Sequence, residues 1–370
     1  MTDTPQWPRF IGKGAVHDQP WQRSESAPPE DDPLAYNHPR FYIADDGLVA
    51  AVNTALLLDK PLLVTGNPGT GKSDLAERLA WEFGLGPVLR FEAQSLSEAG
   101  DLFYRFDLVG RLAESRLQAD QRRPDAAECL VKKTPDNDKT HPVHFIEFGP
   151  FGKAILRAGQ DQADPDPARQ ALLERLRRQA GVSGAAKTRR AVVLIDEIDK
   201  ASRDFPNDLL NGLERMEFRI RELDNLLVGT PDKAQGRHPI VIITSNLERD
   251  LPPPFLRRCA FYHIPDPGEE RLAEIVRARV FPGSKGPLPP FYRELTGFFF
   301  DYKNTARHVY TPGTTEIIEA SLAMAKTGVA GDARLADHID QVCNAASVIA
   351  KHGDDLQNLA QALELRRRPA

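Results

Sequence analysis

The run Gly66-Asn67-Pro68-Gly69-Thr70-Gly71-Lys72-Ser73 constrains this chain more than any other feature. It meets every fixed position of the pattern G-x-x-x-x-G-K-[ST]. Before it, residues 61–65 form a short apolar run that reads as a buried strand. After it, Leu75, Leu79, Ala80 and Phe83 keep helical spacing over residues 73–83. Strand, glycine-rich turn and helix in that order begin a parallel α/β sheet. The glycines let backbone N–H groups turn toward one anion, and the following helix aims its positive end at the same place. Lys72 is expected to reach β- and γ-phosphates, and the Ser73 hydroxyl to ligate Mg²⁺. Asp74, the next residue, completes the stretch expected to hold nucleotide.

A second apolar run, Val192-Val193-Leu194-Ile195, ends in Asp196-Glu197. A strand that buries four aliphatic residues delivers both carboxylates to the carboxyl edge of a parallel sheet, where ligands bind. One carboxylate is needed to hold Mg²⁺ through water, and Asp196 takes that part. The next polarises an attacking water, which makes Glu197 the expected catalytic base. A third apolar run, 240–243, leads to Asn246, whose neutral amide can bond both the water and a γ-phosphate without adding negative charge. Arg257 and Arg258 stand just before a further strand at 260–264. Adjacent arginines usually serve as surface charge; the competing role is stabilising phosphoryl transfer in a neighbouring subunit, with Arg258 favoured by its place next to the strand.

The rest of the chain divides by composition. Residues 1–40 are rich in proline and charge, and read as an extension either flexible or strapped onto a partner, with Trp7 and Trp21 as possible anchors. An α/β nucleotide-binding domain is expected over 41–267. It carries an insertion at about 95–150, a basic insertion at about 158–190 and a hairpin at about 217–240. Within the basic stretch, Asp166, Pro167 and Gly181 mark a helix whose arginines (Arg169, Arg175, Arg177, Arg178) read as a solvated face. Residues 268–370 read as a smaller helical domain, with helices at 268–280, 289–302, 313–327, 334–351 and 354–367. Cys129, Cys259 and Cys343 lie too far apart for a zinc or disulfide pattern and suit a reducing cytosol. No run approaches the roughly 18 apolar residues of a membrane span, so a cytoplasmic chain is expected. With 48 basic against 53 acidic side chains, the net charge of −5 argues against constitutive nucleic-acid binding.

The order of phosphate loop, Asp196-Glu197, Asn246, paired arginines and a helical C-terminal region resembles AAA+ ATPases over roughly residues 41–370. Within that family the chain looks most like the MoxR-type branch. The likeness rests on Asp196-Glu197-Ile198-Asp199-Lys200-Ala201, on 207–214 running into Phe218-Arg219-Ile220, and on Gly149-Pro150-Phe151-Gly152. The resemblance implies a parallel sheet flanked by helices and followed by a helical lid. Lys72, Ser73, Asp196, Glu197, Asn246 and Arg258 match the family's Walker A, Walker B, sensor 1 and arginine-finger positions. It further implies ATP and Mg²⁺ as cofactors, a hexameric ring, a hairpin projecting toward a central pore, and chaperone-like work on a protein client. The partner can carry a von Willebrand A domain. One departure stands out: where the family's lid helix usually has a γ-phosphate-sensing arginine, this chain has Thr315, with Arg307 nearby.

The same residues also serve an alternative reading, a nucleotide-controlled assembly switch that signals to effectors, as in a bacterial defence system. A nucleic-acid motor is disfavoured by the acidity and by the lack of an aromatic-and-basic binding pattern. A small-molecule kinase is disfavoured by the long helical C-terminus and by Arg257-Arg258. The guanine-reading pattern [NT]-K-x-D does not occur, which prefers ATP to GTP. Tyr42 and Ile43, just before the first helix, are the expected walls for the adenine.

Overall fold

Five short strands, β1 (Leu62–Thr65), β2 (Leu89–Glu92), β5 (Val192–Asp196), β8 (Ile240–Ser245) and β9 (Ala260–His263), pair in parallel in the order β2-β5-β8-β1-β9. The computed structural model describes residues 9–14, 37–121, 138–159, 164, 166–182, 190–229, 238–284, 286–305 and 307–367. Strands β1 and β8 are buried at every position, as expected of parallel strands covered on both faces. Alternation sorts their side chains between two cores. Leu62, Val64, Val192, Leu194, Ile240 and Ile242 point to α1 (Asp46–Leu57) and α2 (Asp74–Glu82), meeting Leu48, Val52, Leu75 and Leu79. Leu63, Val193, Ile195, Val241 and Ile243 point the other way, onto Phe151 and Ile155 of α4 (Pro150–Ala158) and Phe205 and Leu209 of α6 (Phe205–Arg215).

Between β2 and α4 the chain adds β3 (Tyr104–Phe106), α3 (Leu108–Gln121) and β4 (Ile146–Phe148), with β3 and β4 antiparallel. These elements lie within the stretch 95–150, of which 122–137 fall outside the described residues. Gly149-Pro150-Phe151-Gly152 starts α4 beneath it, and a Cβ on Gly152 would lie 2.0 Å from the Phe103 carbonyl oxygen, so only glycine fits that approach. The hairpin β6 (Glu217–Ile220) and β7 (Leu226–Gly229) follows α6; Phe218 leans on Phe103, Tyr104 and Phe148. The remainder of the expected hairpin, 230–237, lies outside the described residues.

Past Gly268, six helices gather a separate core around Leu272, Phe291, Phe299, Ile317 and Leu359. They are α8 (Glu269–Val280), α9 (Pro290–Thr305), α10 (Thr314–Lys326), α11 (Ile339–Asn344), α12 (Ala346–Ile349) and α13 (Gly353–Arg367). A continuous helix at 334–351 is not what forms. The segment breaks into a single 3₁₀ turn, α11 and α12. Asp337, His338 and Asn344 are weak helix formers, and each break falls at or beside one of them. Among the described residues no helix is long and apolar enough to cross a membrane.

The basic helix also differs from expectation. It forms as α5 (Pro167–Gln179), with the Asp166 side chain capping the Ala168 amide. Arg177, however, is only 6% exposed and donates to the Gly159 carbonyl, while Arg169 donates to the Leu227 carbonyl and pairs with Asp164. Two of its arginines therefore stitch α5 to its neighbours rather than to solvent.

The described part of the N-terminal extension, 9–14 and 37–40, packs onto its own domain. Phe10 is fully buried edge-on to Phe83, and Asn53 bonds the Phe10 amide and carbonyl at 2.9 Å each. The Glu82 carboxylate accepts from the Ile11 and Gly12 amides and from Arg78, which also donates to the carbonyls of Gly14, Pro39 and Arg40. Arg78 and Glu82 face each other one turn apart on α2, so a buried ion pair binds the strap to the helix that opens from the phosphate loop. Removing one partner would strand the other charge out of water, which is why both remain. Trp7 and Trp21, the anchors expected from sequence, lie outside the described residues.

Candidate nucleotide site

Because β1, β8 and β5 are parallel neighbours, their carboxyl ends bring Gly66, Asn246 and Asp196-Glu197 to one edge of the sheet. The Lys72 side chain is folded over the loop, 7% exposed, with Nζ donating to the carbonyls of Gly66 (2.8 Å) and Asn67 (2.9 Å). Burial pushes its ammonium pKa down, and the negative charges of Asp196, Asp199 and Glu197 pull it partly back. The Ser73 hydroxyl donates to Asp196 Oδ1 at 2.7 Å. Thr244 donates to the same oxygen at 2.6 Å and accepts from the Glu197 amide at 2.9 Å. Glu197 itself has a left-handed backbone (φ 56°), a conformation that costs a non-glycine residue about 1 kcal/mol or more. That turn breaks the strand and carries the Glu197 carboxylate to Asn246, whose Nδ2 donates to Oε1 at 3.2 Å. The buried Asp199 accepts from the amides of Asn246 (3.2 Å) and Glu248 (2.9 Å), which sets the backbone that presents the Asn246 amide.

The phosphate loop thus bonds one strand-end carboxylate, Asp196, through Ser73, and the next carboxylate, Glu197, meets the neutral amide of Asn246. The sequence profile of the ATPase family associated with various cellular activities (AAA) matches residues 62–264, more than half of the chain. The chain belongs to the AAA ATPase family. ATP-dependent activity and nucleotide binding, typically with Mg²⁺, come with that membership, and AAA ATPases commonly assemble as rings. No curated protein matches the chain by sequence.

In this AAA chain the loop opens onto a cleft of about 530 Å³ between the α/β domain and the helical region. Tyr42 and Ile43 line it, together with Gly69, Thr70, Gly71 and Asp74. Gly71 has φ 82°, and a Cβ there would come within 3.1 Å of the Tyr42 ring, so loop and ring are in close contact. Burial raises the Tyr42 hydroxyl pKa, with Asp74 and Asp45 adding to it, so the ring meets the cleft uncharged. Asn67, through its side-chain amide, donates to Asp266, which is paired with Lys303 of α9. Pro68 follows it in the loop, and its carbonyl lies against Gly313 at the start of α10. Thr315 does stand at the loop, its hydroxyl donating to the Gly69 carbonyl at 3.3 Å. Arg307 is exposed.

Among the described residues no group of three or more His, Cys, Asp and Glu side chains gathers to hold a metal by itself. Ser73 Oγ and Asp196 Oδ1 are hard oxygen donors in mutual contact. They fit Mg²⁺, an ion that retains several waters and takes its other ligands from substrate phosphates.

The two arginines do not join this cluster. Arg257 is exposed, and Arg258 is held at the end of α7 (Pro253–Leu256) by an ion pair to Glu214 and a 3.0 Å bond to the Pro254 carbonyl. Four contributors were not singled out from sequence: Thr244, Asp199, Lys200, which is ion-paired to Glu197, and Arg279 of α8. Thr244 carried a usable signal, being a hydroxyl at the end of an otherwise aliphatic strand.

Proposed function

We propose that this AAA ATPase hydrolyses ATP to ADP and phosphate, with Mg²⁺, at sites shared between neighbouring subunits of a ring. The turnover drives chaperone-like remodelling of a protein partner. The observation that carries the shared site is the placement of Arg258. It is anchored by Glu214 and Pro254, apart from its own chain's loop, on a partly exposed surface where an adjoining subunit can meet it.

Within one chain the roles divide by chemistry. The backbone amides of 66–73 and the Lys72 ammonium bind the phosphate chain. Ser73 and Asp196 would hold Mg²⁺, which neutralises developing phosphate charge when bound. Glu197, released from Lys200, accepts a proton from the attacking water, and the Asn246 amide orients that water. Arg258 of the neighbouring subunit stabilises charge in the transition state. The likeness to the MoxR branch supports the hexamer, the pore-facing hairpin and a client linked to a von Willebrand A domain.

Ring formation provides the test. Mass photometry of the full chain with saturating Mg·ATP should show an assembly of six subunits, whereas nucleotide-free protein should favour smaller species. A particle that stays monomeric at every nucleotide and protein concentration would refute the shared site.

A further inference from the structure

Arg279 is a buried cation that the reading above leaves unused. It projects from α8, in the helical region, and is 7% exposed. Its Nη2 donates at 2.8 Å to Asp74 Oδ2, across the cleft, on the first residue of α2. The ion pair therefore ties the lid to the helix that opens from the phosphate loop.

The position of Asp74 is chemically odd. A carboxylate directly after Ser73 sits at the mouth of a cradle built to attract anions, and it repels any phosphate entering there. Arg279 cancels that charge. Both side chains line the same cleft as Tyr42, Ile43 and Ile318, whereas Lys72, Ser73, Asp196 and Glu197 do not belong to its lining. Arg279 and Asp74 thus lie toward the base, ribose and first phosphate, away from the end where hydrolysis occurs. From α10 the lid brings Thr314, Thr315, whose hydroxyl is bonded to Gly69, and Glu319 to the cleft, but no cation; the other lid arginine there, Arg271 of α8, is bonded to the Ile43 carbonyl and paired with Glu274.

We propose that Arg279, ion-paired to Asp74 across the cleft, is the lid's nucleotide-sensing residue. It registers occupancy through the α-phosphate side of the nucleotide and does not distinguish ATP from ADP. Entry of a nucleotide adds an anionic partner beside Asp74, and the lid is held more tightly onto α2 whichever nucleotide is present. This rests on the nucleotide reading of the site. It deepens that reading by assigning the lid a sensor blind to the third phosphate.

The test is equilibrium binding of fluorescent ADP and ATP analogues, with Mg²⁺, to the full chain. Arg279→Met should weaken both by the same factor, about 10- to 100-fold, as expected for loss of a charge-assisted bond. Asp74→Asn, at a carboxylate that is half exposed, removes the repulsion and the competing ion pair, and should tighten both nucleotides equally. The double variant should recover part of the loss. Hydrogen exchange at α8 should slow with either nucleotide in the wild type and with neither in Arg279→Met. Should Arg279→Met fail to fold, Arg279→Lys, which keeps the charge but not the planar paired donors, takes its place and should weaken both nucleotides by one smaller, equal factor. Loss confined to ATP, or unchanged affinity for both, would overturn the proposal while leaving the nucleotide site intact. A folded wild type that binds neither nucleotide would instead remove the reading beneath it.

Discussion

Replacing Glu197 by Gln is expected to leave ATP binding intact and to slow hydrolysis by at least about 100-fold. The amide keeps the shape of the side chain and can still meet Asn246, but it has no carboxylate to accept the proton of the attacking water. The contacts proposed to hold nucleotide lie elsewhere, on the loop 66–73 and in the cleft beside Tyr42, so affinity should persist. The Glu197 carboxylate is bracketed by Asn246 and Lys200, and the substitution also frees Lys200 from its ion pair. A parallel Lys200→Met variant separates the two effects, because it removes the pair and keeps the base. Phosphate release under single-turnover conditions reads the chemistry directly. Near-normal turnover by Glu197→Gln would take Glu197 out of the role.

Arg258→Ala is expected to cost a factor of about 10³ or more in turnover with nucleotide affinity little changed, the range seen when an arginine finger is lost. Arg258 is ion-paired to Glu214 and bonded to the Pro254 carbonyl, so its guanidinium is held in a fixed place rather than swinging freely. Its loss should be invisible to a chain that binds ATP alone. Mixing provides the sharper reading. Arg258→Ala subunits keep their own base, and Glu197→Gln subunits keep their own Arg258. An interface that joins the two defective kinds in the right order has one complete site. Titrating one variant into the other should therefore restore part of the activity that neither shows by itself. Absence of any recovery across all mixing ratios would argue that Arg258 acts within its own chain or not at all.

How far the sequence could be read depended on the range of each contact. The phosphate loop was legible because its eight residues are contiguous and its geometry is local, and the Asp196-Glu197 pair because an aliphatic run announced the strand that delivers it. The three central strands, β1, β5 and β8, were legible for the same reason, being apolar at nearly every position. The Arg279–Asp74 pair was not, since its partners are 205 residues apart and no spacing rule joins an arginine on a lid helix to a particular carboxylate. Arg177 shows a related difficulty. On a helix with many charges it reads as solvated, yet a neighbouring carbonyl at Gly159 turns it inward. Phe10 lies in a short stretch with no periodicity, and its burial, with the hydrogen bonds that Glu82 accepts from Ile11 and Gly12 and that Asn53 exchanges with Phe10, reveals that this segment belongs to the core. The breaks within 334–351 fall at a few weak helix formers inside a segment whose average propensity is helical, and an average does not place them.

The central claim is that the cradle at 66–73 and the carboxylates at 196–197 converge on one magnesium-bound triphosphate. Calorimetric titration of Mg·ATP into the folded full chain tests it with no assumption about clients or rings. The account predicts saturable binding of one ATP per chain, weakened when Mg²⁺ is chelated. A folded protein that takes up no adenine nucleotide in the presence of Mg²⁺ would contradict it.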